Sequence, residues 1–302
     1  MCTTRVQAAT LVESTGRNAH APASAARVAF VRHSNTNKSM AASARGAARI
    51  FEQIPGPALR SFIKRFLVVE FPSIHCDAHL PDTRPVAAFS FRGGCRIDGD
   101  QWAPPAAFTG LRETLRSHQH CGNHAVLLAT FTPVGANAFL RPSLEEFAGT
   151  TTDLAGILGR PEELDRLHEQ LAEARNHGRR VKLLEDFLLA RVRVSGPDPL
   201  IAAAVAWFEQ GSEAKRIDDL TRYIGLSQSA LERRFRRIVG VSPKKYAFLV
   251  RLRRAVRLRA TGVDLTTVAH AAGYFDQSHF IKDFRRATGS APNTFYRQSP
   301  VD

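Results

Sequence analysis

Leu220-Thr-Arg-Tyr-Ile-Gly-Leu-Ser-Gln-Ser-Ala-Leu-Glu-Arg-Arg-Phe235 leads into Gly240-Val-Ser-Pro243 and Tyr246. The same grammar returns further along the chain. Val268-Ala-His-Ala-Ala-Gly-Tyr-Phe-Asp-Gln-Ser-His-Phe-Ile-Lys-Asp-Phe284 leads into Gly289-Ser-Ala-Pro292 and Phe295. Leu220 aligns with Val268 and Gly225 with Gly273. After one inserted residue, Leu231 aligns with Phe280, Phe235 with Phe284, Gly240 with Gly289 and Pro243 with Pro292. An internal repeat of this kind points to two copies of one supersecondary unit.

Each copy carries the physics of a helix-turn-helix. A short helix ends at Gly225 or Gly273, where glycine takes the positive φ of a tight turn without a Cβ penalty. Leu226 or Tyr274 plugs the corner, and Ser227 or Asp276 can N-cap the second helix. Leu231 and Phe235, like Phe280 and Phe284, are spaced i and i+4 and bury one face. Polar residues take the other face: Gln228, Ser229, Glu232, Arg233 and Arg236 in the first copy, and Gln277, Ser278, His279 and Lys282 in the second. Such a face has the chemistry to enter a major groove.

Between the copies, the pattern predicts a long basic helix over Lys244 to Ala260. Leu249, Leu252, Ala255 and Val256 form its apolar stripe, with Arg251, Arg253, Arg254, Arg257 and Arg259 around them. Charge is distributed accordingly. The chain carries a formal net charge of +14. Most of that excess lies in residues 212–302 and in the first 47 residues, while the middle is close to neutral. A folded segment this basic calls for a polyanionic partner.

These residues closely resemble the AraC/XylS family of bacterial regulators. The resemblance covers about residues 199–299. It is carried by Gly225-Leu-Ser227, Leu231-x-Arg233-x-Phe235, Gly240-Val-Ser-Pro243, Ala272-Gly-Tyr-Phe-Asp-Gln-Ser-His-Phe280 and Phe284-Arg-Arg-Ala-Thr-Gly289. Thr221 departs from the alanine usual under the first turn, whereas the second copy keeps Ala269. The resemblance implies base reading by Ser229 and Arg233 in the first copy and by Gln277, Ser278 and Lys282 in the second. Side-chain chemistry fits this in part: Arg can hold guanine, Gln adenine, and Lys guanine or phosphate. Glu232 has two readings, as an acceptor for cytosine or as an i,i+4 partner of Arg236, and the ion pair is the favoured one.

Working outward, Ser195-Gly-Pro-Asp-Pro199 is a breaker cluster and the expected domain boundary. Before it, Pro161-Glu-Glu opens a helix carrying Leu164, Leu167 and Leu171, and a second helix carries Val181, Leu184, Phe187 and Leu188. Residues 50–135 read as strands, with Phe66–Phe71, Val86–Phe91 and Ala125–Phe131 as apolar runs between Pro and Gly clusters. The expected fold is α+β. A mostly-β, cupin-like barrel with trailing helices (residues 50–195) precedes an all-α domain of two helix-turn-helix units joined by a long helix (199–299). The cupin likeness rests on Phe131-Thr-Pro-Val-Gly135 and Phe139-Leu-Arg-Pro142, and it implies a sensor or effector domain for an unidentified small molecule. Residues 1–49 read as a disordered tail; its acid-poor, Arg-rich composition is that of transit peptides, a reading set aside because the rest of the chain is bacterial in type, and Met40 is a second candidate start.

His75-Cys-Asp-Ala-His79 and His118-Gln-His-Cys-Gly-Asn-His124 gather histidines and cysteines that offer metal or redox chemistry. No spacing there matches a recognised zinc motif. The reading therefore treats them as loop histidines and structural cysteines, and assigns no metal, cofactor or catalytic residue. Cys2, Cys76, Cys95 and Cys121 show no C-x-x-C spacing and fit a reducing cytoplasm. No run of 18 apolar residues marks a membrane span and no secretory h-region opens the chain. An alternative of another class is a DNA-binding module fused to an enzyme, such as an alkyl-group acceptor, or to a metal- or redox-sensing domain. No cysteine has the Pro-Cys-His-Arg-like context the acceptor needs, and Walker A, dinucleotide, G-x-S-x-G and H-E-x-x-H motifs are missing from the sequence. The expected partner is double-stranded DNA, with RNA polymerase a further candidate. A homodimer through the helices of 161–193 competes with their serving as the cap of the sensor domain.

Overall fold

Two β-sheets face each other in the N-terminal half, and helices cover one of them. The computed structural model describes residues 27–28, 48–210 and 217–298. Most of the tail expected over residues 1–49, with Cys2 and Met40, lies outside the described residues. The strands are β1 (Arg27–Val28), β2 (Arg49–Gln53), β3 (Ile63–Phe71), β4 (His75–His79), β5 (Val86–Arg92), β6 (Cys95–Ile97), β7 (Gln101–Trp102), β8 (Ala106–Thr109), β9 (Arg116–His120), β10 (His124–Phe131) and β11 (Thr151–Asp153). Their order is β11-β8-β5-β10-β3-β2 in the larger sheet and β1-β4-β9-β6-β7 in the smaller.

The larger sheet follows the apolar runs. In β5, Ala87, Phe89 and Phe91 are buried at alternate positions, the period expected of a strand, whereas β10 is buried along almost its whole length, with Ala125, Leu127, Ala129 and Phe131 in the same cluster as those three. Those side chains pack against α2 (Pro161–Glu173) and α3 (His177–Leu189), which follow the short helix α1 (Leu154–Leu158). Leu164, Leu167 and Leu171 of α2 and Val181, Leu184 and Leu188 of α3 belong to the same buried cluster. The apolar stripes that suggested a dimer contact are therefore consumed within this chain. A further strand lies beyond the segment read as strands: β11 pairs antiparallel with β8, Thr152 opposite Phe108, and forms one edge of the sheet. Three residues of Thr-Thr-Asp carry no apolar alternation that would mark them as a strand.

The other face of the larger sheet looks toward the smaller one. Asn123, at φ 64°, turns the chain from β9 in one sheet to β10 in the other. This corner brings His120 Nδ1 within 2.8 Å of His124 Nδ1 and stacks the His120 ring on Phe71 at 3.6 Å. The histidines expected in loops thus sit on strands. His75 and His79 belong to β4, His118 and His120 to β9, and His124 opens β10. Burial pushes His118 down to about 3 and His124 down to about 4, leaving both imidazoles neutral.

The C-terminal helices are α4 (Pro199–Gln210), α5 (Ile217–Ile224), α6 (Gln228–Val239), α7 (Pro243–Arg259), α8 (Leu265–Ala272), α9 (Gln277–Thr288) and α10 (Pro292–Gln298). They share a second buried cluster running from Ile201 to Phe295. Leu111 and Val134 of the N-terminal half join that cluster, so the two halves touch through apolar as well as charged groups.

Candidate nucleic-acid interface

The two helix pairs α5–α6 and α8–α9 are built by the same local rules. Gly225 has φ 69° and Gly273 φ 88°, the left-handed conformation that ends α5 and α8. Ser227 Oγ accepts from Ala230 N at 3.3 Å, and Asp276 Oδ1 accepts from His279 N at 2.7 Å, capping α6 and α9. Leu231, Phe235, Phe280 and Phe284 are fully buried. Tyr274 is the buried corner plug of the second pair, and burial holds its phenol above the ordinary range; Leu226 is only half-buried. Thr221, the departure under the first turn, satisfies its hydroxyl by donating to Asp218 O at 2.9 Å.

The joining helix α7 is buried almost all round its first half: Tyr246, Phe248, Leu249, Val250 and Leu252 are all inside. A helix hydrophobic on every side is a central strut rather than a surface helix. Tyr246 packs edge-on to Phe235 of the first pair at 5.5 Å, while Phe248 lies under the Arg286 guanidinium of α9 at 4.3 Å. Ser242 Oγ caps α7 through Lys245 N, with Pro243 at its first turn. The strut is therefore fixed to both pairs.

The side chains expected to meet DNA divide into two groups. Gln228, Ser229 and Arg233 on α6 and Ser278 and Lys282 on α9 are exposed. Gln277 is half-buried at the start of α9, and its Oε1 accepts from Thr266 Oγ1 at 2.9 Å. His279 is exposed too, its ring edge-on to Tyr274 and its Nε2 3.6 Å from Asp283. Glu232 and Arg236 are paired at 2.6 Å, the i,i+4 reading. Arg236 also reaches Glu145 of the N-terminal half at 2.8 Å, which draws it away from the open face.

The arginines of α7 are mostly engaged. Arg251 lies over the Tyr274 ring at 5.4 Å. Arg253 donates to Thr83 Oγ1 at 3.0 Å, and Arg254 to Glu209 O at 3.3 Å. Arg259 donates to Val263 O at 3.2 Å. Arg257 is exposed, and its guanidinium stays charged.

Residues 220–298, spanning both helix pairs and the strut, match a family model described as a helix-turn-helix domain. The transcriptional activator RhaS of Pectobacterium carotovorum is 31% identical over 101 residues, 33% of this chain and 36% of that protein. An AraC-like transcription regulator of Streptomyces lividans, itself described as putative, is 31% identical over 106 residues, 34% of each. The C-terminal region is an AraC-type helix-turn-helix domain. The chain matches only about a third of the length of these curated relatives. Among solved structures, the DNA-binding domain of AdpA in complex with a target DNA is 28% identical, covering 33% of this chain and 95% of that one with a TM-score of 0.32. ToxT of Vibrio cholerae, at 12% identity, covers 79% of this chain and 97% of its own with a TM-score of 0.42. Among the described residues, no helix is long and apolar enough to cross a membrane.

Proposed function

We propose that this protein is a one-component transcription regulator acting in the cytoplasm. Residues 199–299 bind double-stranded DNA in a sequence-specific manner, and residues 50–195 form the sensor or effector domain. One observation carries the reading. Two equivalent, N-capped helices, α6 and α9, offer exposed polar side chains and are both anchored on a single buried strut, α6 through Phe235 on Tyr246 and α9 through Arg286 on Phe248. Gln228, Ser229 and Arg233 on the first helix and Gln277, Ser278 and Lys282 on the second are the residues assigned to the groove contacts. Glu232 and Arg236 act in holding the frame, because they pair with each other and Arg236 also with Glu145, whereas His279, exposed on α9, is assigned to the groove with its neighbours. The relatives that share the AraC-type domain are named as transcription regulators, which favours regulation over catalysis. A small-molecule effector, RNA polymerase and a second copy of the chain are the further partners this reading admits.

The deciding experiment is selection of binding sites from random duplexes by the full chain, at low and at physiological salt. A regulator of this kind returns a motif with two conserved clusters, and its affinity falls steeply with salt as neutralised phosphates release counterions. Uniform binding to every duplex, or none, overturns the reading.

A further inference from the structure

Two adjacent interior strands of the smaller sheet place a carboxylate among three imidazoles. β4 and β9 pair antiparallel with Asp77 directly opposite His118, His75 opposite His120 and His79 opposite Arg116. Side chains at alternate positions of a strand share a face, so His75, Asp77 and His79 line up beside His118 and His120. Asp77 is buried, with its side chain only 4% exposed. Its Oδ1 lies 3.2 Å from His79 Nε2 and 3.7 Å from His118 Nδ1, and its Oδ2 lies 3.5 Å from His120 Nε2.

These atoms are close without being bonded. Asp77 Oδ1, His118 Nδ1 and His120 Nε2 are all buried and none has a hydrogen-bond partner. Leaving a buried carboxylate oxygen and two buried imidazole nitrogens unsatisfied is costly, so native folds rarely do it without a reason. Groups that approach one another yet miss hydrogen-bond alignment converge instead on a shared point. Asp77, His79 and His118 each offer a ligand atom, and these atoms lie within 4.8 Å of one another. An ion at about 2.0–2.2 Å from each of its nitrogen and oxygen ligands in tetrahedral geometry sets those ligands about 3.4 Å apart. Two of the observed separations bracket that value.

We propose that Asp77, His79 and His118 form a binding site for one divalent transition-metal ion. Two imidazoles and one carboxylate suit zinc or a neighbour of similar softness better than the all-oxygen shells of magnesium or calcium. Three protein ligands leave a coordination position open. His79, with its side chain 38% exposed, gives that position an approach from solvent.

The surrounding groups orient the site. Arg112 Nη2 donates to His79 O at 3.0 Å and fixes the end of β4. His120 is clamped by the Phe71 ring and by His124 Nδ1, and His124 Nε2 in turn meets Ser90 Oγ at 3.1 Å. This relay holds His120 Nε2 3.5 Å from Asp77 Oδ2, where it steadies the carboxylate. Such outer groups tune metal affinity by about 10–100-fold in known sites.

The test uses the full chain without a polyhistidine tag, stripped with a chelator and dialysed. Zn²⁺ is then titrated by calorimetry, and Co²⁺ is added separately to read the visible ligand-field bands of a low-symmetry site. The expected result is one ion per chain, with affinity falling about tenfold or more in Asp77→Asn and in His79→Gln. The Co²⁺ bands should be lost in both, while circular dichroism stays native. His75→Gln, on the same face but outside the cluster, should bind as the parent does. The proposal is overturned if the parent chain takes up no zinc. It is equally overturned if a folded His79→Gln or Asp77→Asn chain binds zinc with undiminished affinity, or if His75→Gln abolishes binding that His79→Gln leaves intact.

Discussion

Arg253 of the joining helix donates to the Thr83 hydroxyl at 3.0 Å, though 170 residues separate them. The strut between the two helix-turn-helix units is thus held by the β-sheet half of the chain. Asp82, 3.5 Å from the same guanidinium, adds a charge to the contact. Glu113 lies 2.7 Å from Lys245 and 3.8 Å from Arg286, and Glu145 accepts from Arg236 at 2.8 Å. Each tie sets an acidic or hydroxyl group of the N-terminal half against a cation of the AraC-type domain.

Glu113 is the best place to test this seam, because one carboxylate faces two cations. The pair with Lys245 is partly exposed, so Glu113→Gln should cost only about 0.5–1 kcal/mol in urea unfolding. It should also raise DNA affinity at low salt, since a negative charge leaves the neighbourhood of a cationic surface. A double-mutant cycle with Lys245→Gln separates the direct pair from a general charge effect. A coupling energy of zero would mean that the contact contributes nothing to holding the halves together.

Gly240 and Gly225 allow a sharper comparison of local and interdomain effects. Both have positive φ, 95° and 69°. A Cβ added at Gly225 meets nothing within 4 Å, whereas one at Gly240 meets the Leu144 carbonyl oxygen at 3.0 Å. Gly225→Ala should therefore cost only the left-handed backbone penalty, about 1–2 kcal/mol. Gly240→Ala should carry the same penalty and also push the sheet half away from α6. Thermal unfolding of both variants is the measurement, with protease cutting near residue 145 as the readout of separation. Equal destabilisation without enhanced cutting would show that the seam yields freely.

Among the described cysteines, Cys95 and Cys76 should behave oppositely. Burial pushes the Cys95 thiol up to about 12, and its Sγ sits 3.3 Å from Arg96 O. Cys76 is exposed. The thiolate is the reactive form, so an alkylating reagent at pH 8 should label Cys76 quickly and Cys95 only after denaturation. Linkage gives a second consequence. The unfolded thiol loses its proton near the ordinary value of 9.0, while the folded one keeps it to about 12. The stabilising contribution is full below pH 9 and is lost progressively as pH rises from there toward 12. Rapid labelling of native Cys95, followed by mass spectrometry, would contradict this and reopen a redox role for it.

Legibility in the sequence tracked how local the determining physics is. The turns at Gly225 and Gly273, the caps at Ser227 and Asp276, and the buried Leu231, Phe235, Phe280 and Phe284 all follow from spacing within one helix pair. The ends of α7 at Pro243 and Arg259 fall one residue from those expected. Arg236 shows the limit. Its i,i+4 partner Glu232 was readable, but Glu145 lies 91 residues away and no local pattern reveals it. β4 and β9 failed for another reason. Their inward faces carry His75, Asp77, His79, His118 and His120, so apolar alternation is missing where it normally marks a strand. Histidine and aspartate at alternate positions in both segments was the available signal, a period-two pattern of ligand residues rather than of hydrophobic ones.

The geometry of DNA reading gives the last prediction. α7 has 17 residues and spans about 25 Å at about 1.5 Å per residue. The two-groove reading requires α6 and α9 to enter successive major grooves, about 34 Å or one turn of duplex apart. Arg233 is exposed on α6 and has no ion pair among the described residues, so it is free to hold a guanine edge. Arg233→Ala should cost about 1–3 kcal/mol and blur one cluster of bases. Gln277→Ala should blur a second cluster about ten base pairs away. Gln277 must first give up the Thr266 hydroxyl, so Thr266→Ala should sharpen or shift preference at that second cluster without touching the first. Arg254, tied to the Glu209 carbonyl, should change affinity little on replacement by alanine, and any effect should be alike for all sequences. Binding-site selection with each variant reads all four outcomes. If Arg233→Ala and Gln277→Ala blur the same bases, a single unit reads DNA and the second is a packing or polymerase-contact surface.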